Sequence, residues 1–152
     1  MKKLLIVLGI IFVCIIVIGV IGSSIAAYHG TKLDKNSKAY VDEVIPVIVS
    51  SWNSQELIYR ASPELLKIMP QDKVDGMFKM LSGKLGGLKK YKGSKGSSFV
   101  NFSSSGKVIT ASYVVQAAFE KADAEIKISI IQHNNKWQIL EFFVNSATLM
   151  PY

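Results

Sequence analysis

The chain has two histidines, His29 and His133, and one cysteine, Cys14, so little imidazole or thiol chemistry is on offer. A metal centre needs three or four ligands at workable spacing. His133 has no second imidazole or cysteine near it in the sequence, and no metal set is assigned. Serines are plentiful, but no Gly-x-Ser-x-Gly elbow occurs and no Ser/His/Asp set can be picked out. Phosphate-loop and dinucleotide patterns are missing too. The acids nearest the expected strands, Glu120, Asp123, Glu125 and Glu141, fall at strand ends or on polar faces. Catalytic, cofactor-binding and metal residues are therefore all left empty, and no cofactor is expected.

Binding chemistry is better represented. Lys89, Lys90, Lys92 and Lys95 lie among Gly93, Gly96, Ser94, Ser97 and Ser98, a composition suited to anionic headgroups or to a solvated, mobile loop before the first strand. Tyr91 is the only aromatic there, and an aromatic-interleaved nucleic-acid surface is not supported. Tyr40, Trp52, Tyr59, Met77, Phe78, Tyr113 and Phe143 offer aromatic and thioether surface that packs a core or lines an apolar pocket. Thr110, Ser112, Val114 and Gln116 share the mixed face of a long strand and form a candidate partner surface.

The elements that would carry these residues follow from periodicity. Tyr40, Val41, Val44, Ile45, Ile48 and Trp52 recur at helical spacing, with a kink expected at Pro46. Asn53 and Glu56 have capping-box spacing. Ser62-Pro63-Glu64 combines a cap, a proline at the first helical position and an acid at the positive end. That helix stops at Pro70. Val74, Met77, Phe78, Leu81 and Leu85 form the stripe of a helix over 72–85, closed by Gly86-Gly87. From Phe99 the period switches to two. Strands carry Val100 and Phe102, then Ile109 to Phe119, then Ile126 to Ile130, then Trp137 to Val144, with turns at 103–106, 121–124 and 133–136. The short connections read as an antiparallel meander.

Residues 4–22 are apolar throughout and follow Lys2 and Lys3. As a helix the run would span about 28 Å, the thickness of a bilayer core. It is longer than the apolar region of a cleaved signal, though the small residues Ser24, Ala26 and Ala27 could serve a peptidase. The expected organisation is a signal anchor or transmembrane helix over 1–29, a connector over 30–37 and an exported α+β domain over 38–152. The N-terminal lysines place the domain outside the cytoplasm, in the periplasm or at the cell surface of a bacterial inner-membrane protein with a single pass. The exported part lacks cysteine and must be stable by packing alone. The net charge of +7 favours an anionic surface or an acidic partner.

The order of several motifs carries a resemblance. Trp52 precedes Asn53-Ser54-Gln55-Glu56-Leu57. An Ala61-Ser62-Pro63-Glu64 helix start, a Leu85-Gly86-Gly87-Leu88-Lys89 helix end and an Asn134-Asn135-Lys136-Trp137-Gln138-Ile139 turn and strand follow. Over residues 38–148 this resembles the nuclear-transport-factor-2-like, or SnoaL-like, cone fold, and small bacterial envelope proteins that carry it. The resemblance implies helices packed on a curved four-stranded antiparallel sheet and pairing through sheets. It does not select among the enzymes, ligand pockets and assembly modules that the fold hosts. Isomerase-type relatives hold an acid and hydrogen-bond donors inside the cone, and no such set stands out here.

Together these readings give a membrane-anchored, non-enzymatic binding or assembly domain with a protein partner or a second copy on its sheet. The alternative is a small apolar ligand or lipid in the cone. An isomerase- or hydrolase-type enzyme ranks last.

Overall fold

A computed structural model describes residues 32–149, and the compact unit discussed below begins at Asp34. Helix α1 covers residues 32–50 and buries Val41, Val44, Ile45, Ile48 and Val49, an unbroken three-and-four repeat. No break occurs at Pro46. Losing that amide costs about 3 kcal/mol in a helix interior. Each of the buried aliphatic side chains around it returns about 1.5–3 kcal/mol, so packing outweighs the defect. Helix also occupies 32–37, which the composition suggested as connector.

Three shorter helices follow: α2 (Ser54–Arg60), α3 (Pro63–Ile68) and α4 (Gln71–Leu85). Asn53 caps α2 by accepting from the Gln55 amide at 3.1 Å, and Ser62 caps α3 by accepting from the Leu65 amide at 3.2 Å. On α4 the residues Val74, Phe78, Leu81 and Leu85 are buried, and Met77 packs at the edge of the core.

The sheet comprises β1 (Leu88–Ser103), β2 (Gly106–Phe119), β3 (Asp123–His133) and β4 (Lys136–Asn145), antiparallel in the order β1-β2-β3-β4. Helices pack on the face that carries Ala111, Tyr113, Val115, Ile126, Ile128 and Ile130. A register shift in β4 leaves Leu140 unopposed between Ile139 and Glu141. It switches the parity of the strand, so Phe142 turns inward and Phe143 outward.

Two further sequence expectations are corrected. Residues 89–98 are not a loop. They belong to β1, which starts at Leu88 and pairs with β2 through two register shifts, Leu88/Lys90 and Tyr91/Ser94. The second shift contains Gly93 at φ 96° and turns Ser94 into the interior. Glycine, serine and lysine read locally as loop, but pairing with a long apolar partner strand overrides that preference.

The membrane-spanning reading is also corrected. Among the described residues no helix is long and apolar enough to cross a membrane. The longest, α1, carries Lys38, Asp42 and Glu43 on its flank and spends its apolar face on the sheet. The run at 4–22, on which the anchor rested, lies outside the described residues. With it go the transmembrane element, the membrane partner and the inner-membrane location.

Candidate functional site

Ala61, just after α2, makes a parallel bridge with Ile139 of β4, and the Ser62 amide donates to the Ile139 carbonyl at 2.8 Å. These bonds pin the end of α2 against the start of β4. The β3–β4 turn holds Asn134 and Asn135 at φ 50° and 61°, the doubly positive pair of a tight hairpin, and presents Lys136 and Trp137 immediately after it. Tyr40 comes up from α1. The result is a groove of about 490 Å³ lined by Tyr40, Tyr59, Arg60, Lys136, Trp137 and Gln138.

Three aromatic rings and two cations converge there. Tyr59 is 86% exposed, and the Arg60 guanidinium stands over its ring at 5.8 Å from the centroid. Arg60 Nη1 is oriented by the Glu56 carbonyl at 2.9 Å and by the Glu56 carboxylate. Burial raises the Tyr40 phenol above its ordinary pKa; Arg60 works against that rise and Glu43 adds to it. Tyr40 therefore remains a neutral hydroxyl that can donate to an anion.

A second depression of about 440 Å³ shares Lys136 and Gln138 with the first and adds Pro63, Glu64, His133 and Asn134. His133 Nε2 lies 3.2 Å from Glu64 Oε1. The Glu64 backbone amide at the start of α3 holds its carboxyl below the usual range, against a burial effect, with help from Ser62 and His133. The pair lines the second depression, beside the Lys136 and Gln138 that it shares with the groove.

The seven residues expected to form one pocket divide among separate places. Tyr40 and Tyr59 meet in the groove. Trp52 and Phe78 are core: the indole stacks on Phe119 at 5.2 Å and meets the edge of Phe78 at 5.6 Å. Phe78 in turn packs on Phe142 at 5.8 Å. These rings pack against one another rather than around the groove. Tyr113 is buried, with its hydroxyl 2.7 Å from Ser37 Oγ and donating to the Asp34 carbonyl at 3.1 Å. Met77 and Phe143 line a shallow apolar depression of about 370 Å³ with Met80, Leu81 and Leu149.

On the outer sheet face, Ser112 and Val114 border a depression of about 400 Å³ with Lys95, Lys127, Ser129, Glu141 and Phe143. Gln116 is exposed and donates to Glu125 at 2.9 Å, while Thr110 is half-buried. Of the four lysines, all on β1, Lys92 pairs with Asp123 at 2.7 Å.

One carboxylate stands out chemically. Asp42 accepts from Lys38 at 2.5 Å, Tyr91 at 2.5 Å and Ser94 at 2.6 Å. Burial alone would raise its pKa, but hydrogen bonds from Lys38, Ser94 and Tyr91 outweigh that and hold it low. Burial and the adjacent Asp42 push the Tyr91 phenol up. An acid that stays ionised and is already saturated with donors makes a poor general acid or base at neutral pH. Its evident work is to fasten β1 to α1. Among the described residues no cluster of three His, Cys, Asp or Glu side chains could hold a metal ion.

Sequence reasoning missed Arg60, Lys136, Trp137 and Gln138 as site residues. The usable signal was the Asn-Asn turn, which had to present whatever followed it. Comparison with protein-family models, with curated proteins and with solved structures finds no match for this chain.

Proposed function

We propose that this domain is a non-enzymatic binding module for a small organic anion with a flat apolar face, taken in the groove between α2 and β4. The observation that carries this reading is the convergence of Tyr40, Tyr59 and Trp137 with Arg60 and Lys136 in one groove. Aromatic faces bind the flat, carbon-bound surface of a ligand, and the two cations supply charge recognition. Gln138 adds an amide that can both donate and accept. The saturated state of Asp42 supports a binding role over a catalytic one. We place the domain among cone-like folds on the same footing, from the motif order and the helices packed on one sheet face.

The test uses the full chain and four probes: D-glucuronate and benzoate, with glucose and benzyl alcohol as uncharged counterparts. Trp137 reports through its fluorescence, since Trp52, the other indole, is buried away from the groove. At least one anion should bind with Kd of about 1 mM or tighter, equivalent to about 4 kcal/mol, and its uncharged counterpart about tenfold more weakly. Equal binding of charged and uncharged probes, or no binding of either anion, would overturn the reading.

A further inference from the structure

Among the described residues β1 is an edge strand, and its two halves are protected very differently. The first half carries Lys89, Lys90, Lys92 and Lys95 together with both register shifts. Charge and bulges of this kind are the usual defences of an open edge against pairing with another strand. The second half has neither defence. No charge occurs between Lys95 and Lys107, and pairing with β2 is regular from Ser94 to Ser103. This half also exposes large apolar side chains, Phe99 at 54%, Val100 at 38% and Phe102 at 80%.

The direction of the free backbone groups can be read from Ser98. Its amide does not donate to β2 but turns away and donates to Asp34 Oδ1 at 2.6 Å. In an antiparallel ladder the inward and outward residues alternate. Val100 and Phe102 therefore turn their amides and carbonyls to the same open side as Ser98, and Asp34 occupies only the first of these positions.

We infer that this half-strand pairs antiparallel with the same half-strand of a second copy of the chain, on a two-fold axis at Asn101. In that register Val100 faces Phe102 of the second copy, and Phe102 faces Val100. Both are outward residues, so each pair exchanges two backbone hydrogen bonds. Val100 and Phe102 each thereby find an apolar neighbour across the junction. Charge favours the same arrangement: antiparallel pairing sends the lysine-bearing halves to opposite ends, whereas parallel pairing would set them side by side. The result is a continuous sheet of two copies, built independently of the groove between α2 and β4.

Disulfide trapping in the full chain tests this. Cys14→Ser removes the native thiol, and Asn101→Cys places a cysteine on the axis. Facing residues of a non-hydrogen-bonded pair stand about 4.5 Å apart at Cα, within disulfide reach. Ser105→Cys, at the exposed hairpin tip but off the axis, controls for random collision. Oxidation in bacterial cells expressing each variant, read by mass spectrometry, should give a chain-to-chain dimer at 101 and not at 105. Adding Val100→Pro removes an outward donor that β2 does not use, which an edge strand tolerates. Adding Val100→Lys instead restores a charged guard. Either change should abolish the 101 cross-link while leaving the melting temperature in place. Equal cross-linking at 101 and 105, a cross-link at 101 to a different protein, none at 101, or one that survives both Val100 substitutions in a folded chain would overturn the pairing.

Discussion

Trp52 Nε1 donates to the carbonyl oxygen of Gly86 at 2.7 Å, joining the turn that follows α1 to the residue that caps the end of α4. Trp52 has φ 53°, an unfavourable conformation for a bulky side chain. It is held there by that bond and by its contacts with Phe78 and Phe119. Trp52→Phe should leave the Gly86 carbonyl without its donor and remove part of the stacked area. The expected loss is about 1–3 kcal/mol, a fall of several degrees in Tm by thermal denaturation.

Gly86 itself cannot gain a side chain. At φ 75° an added Cβ would lie 2.5 Å from Glu120 Oε2 and 2.9 Å from Glu120 Cβ. Glu120 is not free to withdraw, because its carboxylate accepts from the Gly87 amide and its own amide donates to the Gly87 carbonyl, both at 3.0 Å. Gly86→Ala should cost about 1–3 kcal/mol. Gly83→Ala, in open space within α4, should stabilise by about 0.5–1 kcal/mol. Opposite signs in parallel urea titrations would check both.

These local devices mark what was legible from residues alone. The Ser62-Pro63 start, the stripe of α4 and the Asn134-Asn135 turn depend on neighbours in the chain, and each lies where its local chemistry puts it. The first half of β1 was not legible, because its strand character comes from β2 and from anchoring by Asp34 and Asp42, all distant in sequence. The outward turn of Phe143 was hidden for a similar reason: nothing local announces the extra residue at Leu140. In the groove, Tyr40 and Tyr59 were recognisable as aromatic surface. Their meeting with Trp137 depends on the bridge between Ala61 and Ile139, a tertiary contact with no sequence motif.

The Asp42 hub should make stability depend on acid pH. Its folded pKa lies below the ordinary carboxylate value, so its contribution is complete above the unfolded value of about 3.9 and is lost as pH falls through the folded one. Glu64, also held low, contributes with the same sign. Asp42→Asn should therefore lower stability at neutral pH by about 1–2 kcal/mol and flatten the decline on the acid side. Urea midpoints measured from neutral pH down to about 3 would show it. A variant whose midpoints run parallel to the parent at every pH would assign the acid decline to other groups.

The groove can be dissected because its two most prominent rings differ in what they hold up. Tyr59 is 86% exposed and does little packing, whereas Trp137 is half-buried and packs against the core. Tyr59→Ala should change stability by no more than about 0.5 kcal/mol, the usual range for surface positions. It should nevertheless weaken the preferred anion about tenfold, since it removes an aromatic face and frees Arg60 from the ring beneath it. Trp137→Ala should lose both binding and stability. Lys136→Gln should weaken the anion but leave its uncharged counterpart unaffected, because only the charged partner uses that ammonium. Calorimetric titration of the three variants, beside their melting curves, separates a ring that binds from a ring that merely packs.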